Sequence, residues 1–467
     1  MAVDSTQPPP FEDVAAERAS LGRVLRRLFA ILWRPELKRW RPLIAAALLL
    51  TILAKGFSVA GPVFLGEGIN AVTGGDGALP AAGAFVLFFV AYAAARFLST
   101  ALPQARDAFF AQVTQDANRV LAVEGFSHAQ HLSLQFHLTR RAGALHRIIE
   151  RGAGAIEYLL RFLCFNIGPV LVELLLAAGV LAARYGGTFA VTAVLTVAAY
   201  AVFTILLTER RTRQRRVMNE ADTELRARAM DSLTNFETVK AHAAEERETA
   251  RYDAAIRTYN THYVRLTRSL AVLNIGQEFL MTSGLLAVAM LAGFSVRSGA
   301  LGVGDVTAVI MILMNIYRPL NILGWAWREI KLGMVDMEKL FGLLDVKSEV
   351  ADAPHARPLR ARAGEVRFDR VSFVHTGRTR GLHDVGFVIP PGSFLGVAGP
   401  SGAGKSTVLK LLFRFYDPAS GRVLIDGQNL KDVTQSSLRS ALGLVPQEVV
   451  LFNDTIRFNI SYAKPEA

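Results

Sequence analysis

Gly399-Pro400-Ser401-Gly402-Ala403-Gly404-Lys405-Ser406-Thr407 is the stretch on which the reading of the chain turns. It keeps the spacing G-x-x-x-x-G-K-[ST] of a phosphate-binding loop. A triphosphate needs many donors packed close together. Residues such as Gly402 and Gly404 let the backbone approach, so successive N–H groups can point at the β-phosphate. Lys405 adds a point charge at the β- and γ-phosphates, and the Ser406 hydroxyl can hold Mg²⁺. An apolar strand pattern, Phe394-Leu395-Gly396-Val397-Ala398, is expected to feed the loop. The apolar helix pattern of Val408, Leu409, Leu411 and Leu412 leaves it, with its amino-terminal dipole at the phosphates.

Working outward from the loop, the composition changes character. The 467 residues are 51% hydrophobic and only 20% charged, unusual for a soluble chain. Six apolar stretches before residue 330 are long enough to cross a bilayer, which needs about 20 residues. They lie near Leu43–Leu65, Ala82–Leu102, Tyr158–Ala182, Phe189–Leu207, Leu270–Val296 and Val306–Trp327. Lys55 and Arg96 interrupt the first two; both can face a wet interior or snorkel. The net charge of +12 is explained by cations beside the apolar runs, and no nucleic-acid motif accompanies it. Arg23, Arg26, Arg27, Arg34, Lys38, Arg39 and Arg41 precede the first span, whereas residues 66–81 carry no Lys or Arg, so the amino terminus is expected on the cytoplasmic side. Cys164 is the sole cysteine, which excludes an intrachain disulfide. No transit-peptide or cleaved-signal pattern opens the chain. The charged, helical connections near 104–155 and 209–268 read as membrane helices continued into the cytosol.

Other residues carry chemistry. Asn274 and Gln277 share one face of a helix, which suits either a polar cavity or hydrogen-bonded glue between membrane helices. Arg211 and Arg215, four apart, also share a face, either for an anionic ligand or as part of a basic anchor at the inner membrane surface. Glu173 and Glu278 are intramembrane carboxylates, which are costly and often functional; the alternatives for either are a protonated acid or one paired with Arg161 or Arg96. His128, His131 and His137 lie close enough in sequence for a metal to be considered, although a solvated helix is the commoner explanation.

Six spans with long cytosolic extensions and then a phosphate loop resemble an ABC half-transporter of the exporter type. Leu444-Val445-Pro446-Gln447 is similar to that family's Q-loop, followed by Phe452-Asn453-Asp454-Thr455-Ile456. Ser133-Leu134-Gln135-Phe136-His137-Leu138, Asn235-Phe236-Glu237-Thr238-Val239-Lys240, Leu273-Asn274-Ile275-Gly276-Gln277 and Arg318-Pro319-Leu320-Asn321-Ile322-Leu323-Gly324 resemble the Atm1-type subfamily.

The resemblance implies an all-α six-helix transmembrane domain followed by a partial α/β P-loop NTPase domain. The expected organisation is a cytoplasmic segment at 1–40, a transmembrane domain at 41–343, a linker at 344–362 and the first part of an ABC nucleotide-binding domain at 363–467. It also implies ATP and Mg²⁺ as cofactors. Gly399, Ser401, Gly402, Ala403, Gly404, Lys405, Ser406, Thr407 and Gln447 would hold the nucleotide, Ser406 and Gln447 the metal, and His375 would stack on adenine.

A glutathione pocket in the family corresponds here to Arg211, Arg215, Asn274, Gln277, Asn321, Ile322, Gly324 and Arg328. The implied function is export of glutathione-related or metal–thiol conjugates by two half-transporters, a homodimer or a heterodimer, in a bacterial inner membrane. A lipid or peptide exporter and a non-catalytic fragment or heterodimer partner are the alternatives. The tips at Gln135-Phe136-His137 and Asn235-Phe236-Glu237 correspond to coupling helices. The family's LSGGQ-like signature, catalytic Glu and switch His have no match before Ala467, so the expectation is a chain that binds ATP without hydrolysing it alone. Glu278, beside Gln277, departs from the family pattern.

Overall fold

The computed structural model describes residues 21–73, 83–140, 142–375, 380–447, 449–464 and 466; within them, the side chains at 21, 23–25, 29, 32, 84, 163–164 and 320–328 are not described. The chain divides into two compact units. One comprises Met1–Val123 and Ile148–Phe341, the other Glu124–Arg147 and Gly342–Ala467.

The first unit is helical. A short helix α1 (Leu21–Leu32) and a 3₁₀ turn (Pro35–Trp40) lead into α2 (Arg41–Thr73) and α3 (Ala84–His131). α4 (Leu134–Thr139) belongs to the second unit, and α5 (Ala142–Phe162) returns to the first. A π-helical turn joins α5 to α6 (Gly168–Val180), and another, Leu181–Tyr185, precedes α7 (Gly187–Thr234). The tip helix α8 (Phe236–Ala241), α9 (Glu245–Arg297) and α10 (Val303–Leu344) complete the set.

Among the described residues five helical stretches have the length and composition to cross a membrane: Pro35–Thr73, Phe85–His131, Ala142–Tyr185, Gly187–Thr234 and Glu245–Arg297. The sixth expected span, Val306–Trp327, falls on α10, partly on side chains that are not described. Helices far longer than the roughly 30 Å hydrocarbon core, such as the 53 residues of α9, must extend beyond it.

Polar groups inside this unit are satisfied in pairs. Lys55, read from sequence as an interruption, donates its Nζ to Glu173 Oε2 at 2.5 Å, and the Ser58 hydroxyl donates to Oε1 at 2.6 Å. Asn315 Nδ2 on α10 donates to the Ser58 carbonyl at 3.1 Å. One polar knot therefore ties α2, α6 and α10 beside an apolar core that includes Val59, Ala177, Val309 and Ile312. The expected partners of Glu173, Arg161 and Arg96, are replaced by Lys55. Arg161 lies 4.0 Å from Glu157 on its own helix, and Lys55 is the cation that the α2–α6 packing carries to the acid. Arg106 is buried, donates to Thr51 and Asp107, and lies over the Phe165 ring.

The second unit contains a four-stranded antiparallel sheet of order β2-β1-β3-β4, built from β1 (Val366–Val374), β2 (Gly381–Ile389), β3 (Ser420–Ile425) and β4 (Gln428–Asn429). Its other helices are α11 (Lys405–Leu412), α12 (Gln435–Ser440) and α13 (Ile456–Ser461). Gly421 (φ +80°) sits so close to β1 that an added Cβ would lie 2.2 Å from the Arg370 carbonyl oxygen, so only glycine fits. Asp426 accepts the backbone N–H groups of residues 362–365, which holds its carboxyl below the ordinary carboxylate range and pins the expected linker to the sheet.

The strand expected at Phe394–Ala398 does not form: residues 393–399 and 442–446 carry neither helix nor strand, and Phe394 is 94% exposed. An alternating or apolar run becomes a strand only when a neighbouring strand takes its N–H and C=O groups. Among the described residues none does so here.

The Lys55–Glu173 pair makes a sharp test. Lys55→Met or Glu173→Gln alone is expected to destabilise the purified protein by about 3 kcal/mol, because each strands a polar group in an apolar setting. The double variant is expected to recover most of that loss. Thermal unfolding in detergent checks this; single and double variants that lose stability additively would contradict the pairing.

Candidate functional site

The loop 399–407 turns through three glycines in positive φ: Gly399 at +156°, Gly402 at +83° and Gly404 at +93°. Gly404 is the residue before α11, and Thr407 N donates to its carbonyl at 2.9 Å, so the helix begins directly out of the loop. Lys405 folds back over the loop and donates to the carbonyls of Gly399 at 2.8 Å and Pro400 at 2.9 Å. Ser401, Ala403 and Ser406 are exposed on the same turn. This is a concave run of backbone with a cation at its centre and a hydroxyl at its edge. The residues therefore fit a magnesium–triphosphate group.

A chain of contacts leaves the loop. Thr407 Oγ1 lies 3.4 Å from His375 Nε2. The His375 ring packs edge-to-face with Tyr416 at 5.0 Å between centroids and with Phe373 at 4.8 Å. Tyr416 donates its hydroxyl to Gln135 Oε1 on α4 at 3.3 Å. Burial holds the Tyr416 phenol above its ordinary value, so it stays a donor at neutral pH. Leu134, also on α4, packs against the core formed by residues such as Phe373, Leu411 and Tyr416. The first expected coupling tip is thus seated in the same compact unit as the phosphate loop. The three histidines near it are engaged by backbone: His128 with the Val346 carbonyl, His131 with that of Ser127 and His137 with that of Ala129. No cluster able to hold a metal ion occurs among the described residues.

The remaining sequence-derived candidates separate into groups. Gln447 is exposed in an unpaired segment, and no described hydrogen bond joins it to Ser406. Gln277 on α9 donates its Nε2 to Thr204 Oγ1 on α7 at 2.8 Å. The two helices pack closely in antiparallel register: a Cβ at Gly276 would meet the Phe203 ring at 2.2 Å, and one at Gly284 would meet Thr196 at 2.4 Å. Arg211, half-buried, lies two turns beyond Thr204 on the same face of α7, while Arg215 and Asn274 are exposed. Asn321, Ile322, Gly324 and Arg328 lie outside the residues whose side chains are described. Sequence reading missed Thr204 and Tyr416. The seven-residue spacing from Thr204 to Arg211 was the available signal for the first; nothing local marked the second.

A helical membrane unit joined to a phosphate-loop unit defines an ABC transporter subunit. Residues 44–320 match the ABC transporter transmembrane region and residues 382–465 match the ABC transporter family. The chain is 41% identical over 445 residues to an ATM1-type heavy metal exporter of Novosphingobium aromaticivorans, covering 95% of this chain and 73% of that one. It is 39% identical over 450 residues to the mitochondrial iron-sulfur clusters transporter atm1 of Aspergillus fumigatus, of which it spans 62%. A solved bacterial Atm1-family ABC exporter with ATP bound superposes with a TM-score of 0.70 at 42% identity, over 91% of this chain and 74% of that one. The chain belongs to the Atm1-type ABC exporters, and it is a multi-pass integral membrane protein.

Gly404 gives the loop its most specific test. Alanine there is strained by the positive φ and would place its Cβ 2.6 Å from buried Leu382 Cδ2, whereas a Cβ at Gly402 meets nothing within 4 Å. Gly404→Ala is therefore expected to weaken binding of a fluorescent ATP analogue by at least about tenfold, and more than Gly402→Ala does. Equal losses at both positions would contradict this reading of the loop.

Proposed function

We propose that the chain is the nucleotide-driven subunit of an exporter for glutathione-related or metal–thiol conjugates, working as a pair of half-transporters in a bacterial plasma membrane. The observation that carries the cargo class is the polar stripe between α7 and α9. There Gln277 meets Thr204 within the apolar stretches of the two helices, and Arg211 follows two turns away where α7 becomes basic. Glutathione offers carboxylates and amides, and an arginine fork with amide side chains is the matching chemistry. Arg215, Asn274, Asn321, Ile322, Gly324 and Arg328 complete the proposed pocket. The names of the relatives, a heavy metal exporter and iron-sulfur clusters transporters, support cargo of metal or metal–sulfur character.

The amides of residues 402–404, with Gly399, Ser401, Lys405 and Thr407, would hold ATP. Ser406 and Gln447 would hold Mg²⁺, and His375 would meet the base. Bound ATP would supply the negative charge that the loop's N–H groups and Lys405 are arranged to meet. Thr407, His375, Tyr416 and Gln135 then form a continuous set of contacts from the loop to α4. In this reading α4 receives the nucleotide signal, as a coupling helix would.

Binding of glutathione disulfide to the purified protein tests the cargo. Arg211→Ala and Asn274→Ala are each expected to weaken it by about tenfold, while Lys405→Ala leaves it unchanged. Binding of lipid or peptide in place of any glutathione species would overturn the proposal in favour of a different cargo.

A further inference from the structure

Glu278 lies on α9 within the apolar run Leu270–Val296, one residue past Gln277 and four past Asn274. The four-residue spacing puts Asn274, Glu278 and Thr282 on one face of the helix, and all three are exposed. Gln277, about a third of a turn round, points instead to Thr204. The contact described for the Glu278 carboxylate is one long hydrogen bond accepted from Thr282 Oγ1 at 3.4 Å. Among the described residues no Lys, Arg or His nitrogen lies within ion-pair distance of it.

The other carboxylate within the six apolar stretches behaves differently: Glu173 is bound to Lys55. A carboxylate facing hydrocarbon is costly, so an unpaired one at membrane depth belongs in a wet cavity where a charged ligand can meet it. The neighbouring candidates Arg211 and Arg215 are cations and suit the carboxylates of a cargo. They leave the positive end of a zwitterionic cargo without a partner.

We infer that Glu278 is the residue that recognises a positive charge on the cargo: the primary ammonium of an amino-acid or γ-glutamyl compound docks on its carboxylate, on the face it shares with Asn274. The inference rests on the cargo site proposed above and adds a selectivity to it. Cargo lacking a free amine would bind more weakly, whatever its sulfur or carboxylates.

The experiment compares two probes on the full chain in lipid nanodiscs, by calorimetry: glutathione disulfide and its N,N′-diacetyl derivative, which keeps every carboxylate and the disulfide but has no ammonium. The wild-type chain is expected to prefer the free amine by about tenfold, the scale of one charge-assisted hydrogen bond. Glu278→Gln is expected to bring the two affinities together by weakening only the free-amine probe, and Glu278→Asp to keep a preference. Wild type binding both probes alike, Glu278→Gln retaining the preference, or Glu278→Gln weakening both probes equally would each overturn the inference while leaving the cargo site standing. Wild type binding neither probe would remove the cargo site itself, and this inference with it.

Discussion

Lys405 lies 2.8 and 2.9 Å from the carbonyls of Gly399 and Pro400, and that closure of a cation over its own loop is the interaction on which the rest depends. A lysine ammonium is a compact charge that needs several acceptors. Held by two carbonyls, it stays at the centre of the turn, where phosphate oxygens are the natural competing acceptors. The positive-φ glycines make the turn tight enough for this, and α11 starts from its last glycine. Because Thr407 on the first turn of α11 also approaches His375, a run of direct contacts joins the loop to Tyr416 and to α4.

The membrane unit follows a similar economy of charge. Its polar side chains are satisfied across helices: Lys55 with Glu173 and Ser58, Arg106 with Thr51, Gln277 with Thr204. Each contact fixes a pair of helices at one register, which dispersion between interchangeable apolar side chains does less well. Packing around glycine does the rest. Gly304 approaches the Gly66 backbone so closely that a Cβ would lie 2.0 Å from the Gly66 carbonyl oxygen, tying α2 to the start of α10.

Much of this was legible in the sequence because the signals are local. The spans near Leu43–Leu65, Tyr158–Ala182, Phe189–Leu207 and Leu270–Val296 announce themselves by apolar length despite single charges such as Lys55, and each falls in a long helical stretch; the one near Ala82–Leu102 does so from Phe85 onward. The loop announces itself by glycine spacing. What was not legible depends on partners distant in sequence. Lys55 and Glu173 are 118 residues apart, and only the packing of α2 on α6 identifies one as the other's counter-charge. Phe394–Ala398 has the composition of a strand, but pairing is a property of two segments and not of one. Tyr416 and Gln135 meet across 281 residues, and neither carries any local mark of the contact. The resemblance implies that His375 stacks on a base; in the structure its ring lies between Thr407 and Tyr416, two contacts that no spacing rule encodes.

Hydrogen exchange with the full chain in lipid, with and without ATP and magnesium, tests the central claim that nucleotide at the loop is felt at α4. The account predicts slower exchange both at residues 399–407 and at residues 133–139 when nucleotide is present, with both effects absent in Lys405→Ala. Protection confined to the loop, with residues 133–139 exchanging as before, would contradict it.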